Sequence, residues 1–163
     1  MNSSASSLAA LLTSGPGTTI APTDFSALAD GGPLCASGSV AATPDYSGFA
    51  SIRFKVNQSR AAGSPAMTLL PSGTGVSYSI TNTGGSPLRL SIEDATGLPS
   101  GRWCANVTGS SGTVAWEQFN TTCWTSGGTA YSDEALEQIA VYVSGNNLAP
   151  VIFDFCINSI GTY

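Results

Sequence analysis

"GFASIRFKVN", residues 48–57, alternates in its second half, with Ile52, Phe54 and Val56 on one side of an extended chain and Arg53 and Lys55 on the other. A strand with one apolar face requires a second layer over that face. The same period of two recurs further along. In "LRLSIED" (88–94) Leu88, Leu90 and Ile92 oppose Arg89, Ser91 and Glu93, and in "EQIAVYVSG" (137–145) Ile139, Val141 and Val143 oppose Ala140 and Tyr142. In "VIFDFCINSI" (151–160) Phe153, Phe155 and Ile157 take the core side, leaving Asp154 and Cys156 on the other. Four more short segments complete the set: "LCASGSVAA" (34–42), "GVSYSITN" (75–82), "RWCANVTG" (102–109) and "TVAWEQF" (113–119), separated by Gly, Pro, Asn and Ser clusters. The expectation is an all-β, two-sheet antiparallel β-sandwich of jelly-roll type. Its first and last strands neighbour each other in one sheet, and the second, fourth, fifth and seventh form the other.

The 163 residues suit one domain. Residues 1–22, rich in Ser, Ala, Gly, Thr and Pro, read as a flexible linker, so that the module runs from 23 to 163. The N-terminus has neither a basic n-region nor a long apolar run, and reads as a piece cut from a longer precursor rather than a signal peptide. Charged residues are only 9 %, so hydroxyls and amides carry the solubility, as on a secreted surface. The net charge of −5, with Lys55 the one lysine, disfavours nucleic acid and membrane as partners. Four cysteines without a CxxC, in a chain without histidine, indicate two disulfides and an oxidising compartment rather than a zinc site. The jelly-roll order brings Cys35 beside Cys156, and Cys104 with Cys123 then staples the fifth-to-sixth strand region as a hairpin.

The absence of histidine excludes Ser-His-Asp and Cys-His catalysis. Carboxylates remain, but Glu93 and Asp94 point to opposite faces of one strand, and Asp133, Glu134 and Glu137 lie beside turns. The aromatic residues are more informative. All three tryptophans fall within residues 102–124. Trp116 shares parity with Val114, which leaves it open between core and surface with the core slightly favoured, whereas Trp103, Trp124, Tyr131 and Tyr142 are placed at the surface. Exposed rings stack on the flat C–H faces of a β-linked glucan, and Arg53, Arg89 and Glu93 on the same polar face would hydrogen-bond its hydroxyls.

The combination of "GFASIRFKVN", "PLRLSIED", "WCANVT", "TVAWEQFNTTCW", "IAVYVSGNN" and "FDFCINSI" resembles carbohydrate-binding modules with a galactose-binding-like jelly roll, which are appended to bacterial plant-cell-wall hydrolases. In particular it looks like carbohydrate-binding module family eighty-one, known from an endoglucanase module, over residues 34–160. The resemblance implies a secreted, monomeric, non-catalytic module that binds β-1,4- and mixed β-1,3/1,4-glucans, cello-oligosaccharides and xyloglucan among them. Many relatives carry a structural calcium near their first and last strands. Asp154 is the nearest carboxylate here, its acidic surroundings are sparse, and no cofactor is assigned. Two rival classes are a structural or adhesion domain and a small glycosidase using Glu93, Glu117 or Asp154.

Overall fold

A computed structural model describes residues 10–25, 32–57, 67–125 and 127–163. Among the described residues there are ten strands: β1 (Ala10–Ser14), β2 (Thr19–Ala21), β3 (Leu34–Val40), β4 (Phe49–Lys55), β5 (Gly75–Asn82), β6 (Leu88–Glu93), β7 (Arg102–Asn106), β8 (Ser111–Ala115), β9 (Gln138–Ser144) and β10 (Val151–Thr162). They form two five-stranded antiparallel sheets. One has the order β1-β4-β9-β6-β7 and the other β2-β3-β10-β5-β8. The eight expected strands are all there. As expected, β3 lies beside β10, while β4, β9, β6 and β7 share the opposite sheet.

The faces follow the alternation. Ile52, Leu90, Ile92, Val141 and Val143 on the first sheet, with Phe153, Phe155 and Ile157 on the second, are at or near zero exposure and fill the layer between the sheets. Burying a side chain of that size contributes about 1.5–3 kcal/mol each. Both disulfides form: Cys35–Cys156 joins directly opposed residues of β3 and β10, and Cys104–Cys123 spans a separation of 19 residues. No helix among the described residues is long and apolar enough to cross a membrane.

Three expectations are corrected. The segment read as a linker contributes strands. β1 pairs with β4 from Ala10↔Phe54 to Ser14↔Ala50, and β2 pairs with β3. The composition hides them because both are edge strands: the ladder is templated by a long neighbour, and only Ala10, Leu12 and Ile20 need reach the core. Gly17, at φ +67°, allows the chain to cross between the sheets. Residues 1–9 of that segment lie outside the described residues.

The second correction concerns residues 113–119, which do not extend as one strand. β8 ends at Ala115 and the chain turns through a 3-10 segment at Trp116–Gln118. The Gln118 side chain takes up the Ala115 N–H (2.8 Å) and Trp116 N–H donates to the Thr74 carbonyl (3.1 Å). In the third, β7 and β8 belong to different sheets, so Cys104–Cys123 does not staple a hairpin. It ties β7 to the chain that returns after β8.

Candidate functional site

The outer face of the β1-β4-β9-β6-β7 sheet carries the polar half of each alternating strand. Register aligns it in cross-strand rows. Ser51, Tyr142, Arg89 and Asn106 form one, Arg53, Ala140, Ser91 and Cys104 the next, and Lys55, Gln138, Glu93 and Arg102 the third. The middle row is small at its centre, where Ala140 and Ser91 stand side by side, and larger groups rise around it. The result is a groove of about 790 Å³. Its floor is the sheet, and Trp124, Tyr142, Tyr46 and Phe49 supply rings to its walls.

Trp124 is positioned from the edge of β7. Asn120 and Cys104 exchange backbone hydrogen bonds (2.8 and 3.1 Å), Asn106 Nδ2 donates to the Cys123 carbonyl (3.2 Å), and the disulfide fixes Cys123 itself. Trp124, the next residue, is left 58 % exposed and lies over Arg89, whose guanidinium carbon is 5.7 Å from the indole centroid. The same guanidinium is 6.0 Å from the Tyr142 ring. Arg89 Nε donates to Asn106 Oδ1 (3.3 Å) and Nη1 to Ser144 Oγ (2.9 Å), so two rings and a cation are held as one assembly.

Glu93 is buried at the far end of the groove. Its carboxylate faces Arg53 (3.3 Å) and Arg102 (3.0 Å), and accepts hydrogen bonds from Gln138 Nε2 (2.6 Å) and Ser91 Oγ (3.4 Å). Arg53 is braced from behind by Thr13 Oγ1 (2.8 Å) of β1, so the edge strand hidden in the supposed linker supports the site. Lys55 pairs with Glu137 beyond it.

Of the seven residues proposed from sequence for ligand binding, five stand on this groove: Trp124, Tyr142, Arg53, Arg89 and Glu93. Trp103 and Tyr131 do not. Trp103 faces inward opposite Ile92 and is 3 % exposed; Tyr131 is 5 % exposed. They meet edge to face at 5.2 Å, Tyr131 leans on Trp116 at 5.7 Å, and Trp116 on Phe119 at 6.0 Å. Trp116 is thus in the core, its Nε1 donating to the Gly73 carbonyl (3.1 Å). Burial, with Glu134 and Asp133 nearby, pushes the Tyr131 phenol up to about 12, and its hydroxyl donates to the Glu134 carbonyl. A chain of four rings therefore plugs the core, and one tryptophan of three reaches the groove.

Tyr46 and Phe49 are the rings that sequence reasoning missed. Tyr46 sits at φ +58° in a turn where its N–H donates to the Thr43 carbonyl, and the Asp45 carboxylate accepts from Ser47 N and Oγ. Those Ser47 hydrogen bonds hold the Asp45 carboxyl below its ordinary range. An aromatic within "TPDYSG", a sequence of turn-forming residues, was the available signal.

The remaining carboxylates are dispersed. Asp154 projects from the outer face of the other sheet, where Thr83 Oγ1 donates to its Oδ2 (2.7 Å), and Glu117 is exposed in the 3-10 turn. No three acidic, cysteine or histidine side chains converge among the described residues. Compared with known proteins, the chain matches no family model and no curated sequence.

Proposed function

We propose that this domain is a non-catalytic carbohydrate-binding module for β-1,4- and mixed β-1,3/1,4-linked glucans. The observation that carries the reading is the Trp124–Arg89–Tyr142 assembly along an open groove. Indole and phenol faces pair with the axial C–H faces of successive sugar rings, and the arginine donors and Ser51 and Ser144 hydroxyls pair with equatorial hydroxyls. Rigid rings keep the entropy loss of binding small, about 0.5–1.5 kcal/mol per immobilised flexible side chain avoided.

Binding without cleavage is supported by the disposition of charge. Glycoside hydrolysis needs two carboxyl groups about 5–9 Å apart across the substrate. Glu93 is the one carboxylate among the described groove-lining residues, and both its oxygens are engaged by arginine and Gln138. Two disulfides favour an oxidising compartment, which suits a secreted bacterial module attached to a plant-cell-wall hydrolase and acting as a monomer.

In native gels cast with soluble glucans, the domain is expected to be retarded by β-1,4- and mixed-linkage chains and not by starch. A helical α-glucan does not offer the extended flat face that rings lining an open groove would stack against. No reducing sugar should be released from any of them. Equal retardation by starch, or release of sugar, contradicts the proposal.

A further inference from the structure

The chain is acidic, with a net charge of −5, yet three of its five basic residues, Arg53, Arg89 and Arg102, line this one groove against a single carboxylate. Glu93 neutralises one charge between Arg53 and Arg102. Arg89 stands apart from that pairing. Its hydrogen-bond acceptors among the described residues are the neutral Asn106 and Ser144, its other neighbours are the faces of Trp124 and Tyr142, and it has no carboxylate partner among them. With Nε and Nη1 occupied, Nη2 carries donors for which the described residues supply no acceptor.

Neutral hydroxyls alone do not require this arrangement, because serine, asparagine or glutamine hydrogen-bonds a sugar without the cost of drying a full charge. A half-buried guanidinium packed against two rings, with Nη2 donors for which the described residues supply no acceptor, matches a planar carboxylate. We infer that the groove selects a glycan chain carrying a carboxylated sugar, a hexuronate unit, whose carboxylate docks on Arg89 while neighbouring rings stack on Trp124 and Tyr142. The inference rests on the carbohydrate-binding reading above and specifies its ligand class. Lining the rest of the groove, Arg53 and Arg102 leave a positive balance around Glu93 that favours the same charge.

Cellopentaose and its length-matched counterpart oxidised to the carboxylate at C6 differ only in that group. Calorimetric titration of both into the intact domain at low salt is expected to give the carboxylated chain about tenfold tighter binding, equivalent to about 1.4 kcal/mol. Raising salt to about 0.5 M should shrink the preference, since the pair is solvent-accessible. Arg89→Gln should bring the two ligands within about twofold of each other, and Arg89→Lys, which keeps the charge and loses the fork, should retain part of the difference. Equal or weaker binding of the carboxylated chain by the unmodified domain overturns the inference while leaving the glycan reading intact. If neither chain binds, both fail. A sulfated cello-oligosaccharide binding as tightly as the carboxylated one would show charge recognition without the planar match, and would also overturn it.

Discussion

Replacing Cys35 and Cys156 together by Ser is expected to lower the unfolding free energy by about 4–5 kcal/mol, the larger of the two disulfide effects in this chain. The two residues face each other across β3 and β10, and that pairing is also secured by a full backbone ladder from Val151↔Val40 to Ile157↔Leu34. The folded state therefore loses little when the bond is absent. The unfolded state gains much, because a closed loop with a sequence separation of 121 residues is released. The same argument gives about 3 kcal/mol for the Cys104–Cys123 loop, with its separation of 19. Since domains are stable by about 5–15 kcal/mol, the first substitution removes roughly a quarter of that or more. Denaturant midpoints of the two double-Ser variants check the order. A smaller loss for Cys35/Cys156 than for Cys104/Cys123 contradicts it.

Trp103→Ala is the second large effect, with an expected loss of about 3–5 kcal/mol. Trp103 is at the head of the ring chain that continues through Tyr131 and Trp116 to Phe119, so its removal opens a cavity that aromatic neighbours cannot collapse into. Its Nε1 is buried without a hydrogen-bond partner among the described residues. Trp103→Phe removes that stranded donor along with some volume, and should cost much less than the alanine variant. In both variants the folded fraction should bind glucan as the unmodified domain does. A stable Trp103→Ala with weakened glucan binding would return Trp103 to the surface site.

Alternation made the sheet faces readable from sequence, because β4, β6 and β9 each turn an apolar set of side chains to the core and a mostly polar set to the other face. That placed Arg53, Arg89, Glu93 and Tyr142 on a common surface before any pairing was known. The same logic contained the answer for Trp103. In β7, Arg102, Cys104 and Asn106 share one parity and Trp103 and Ala105 the other, so the polar residues at both ends already assign Trp103 to the core.

Tyr131 carried no such local signal. It is drawn inward by a loop whose closure is long-range: Tyr131 N–H donates to the Phe119 carbonyl, and Asn120 bridges Ala130 on one side and Cys104 on the other. The edge strands β1 and β2 were equally hidden, since their pairing is decided by the exposed ladders of β4 and β3 rather than by their own side chains. Trp124 is exposed, as its place beside the turn-rich segment suggests. What sequence did not provide was its contact with Arg89, 35 positions earlier in the chain and adjacent only through the register of β6 with β7 and the disulfide.

The central claim is that the groove beside Trp124 is where glycan binds, and calorimetric titration of cellopentaose into Trp124→Ala tests it most directly. A shallow site of this kind is expected to hold the ligand at about 10–100 µM, near −7 to −5.5 kcal/mol. Removing the exposed indole should weaken binding at least about tenfold, the loss of one stacked ring, while the melting temperature stays within about 2 °C of the unmodified domain because the side chain lies outside the core. Unchanged affinity in a folded Trp124→Ala domain would place the glycan elsewhere and contradict the account.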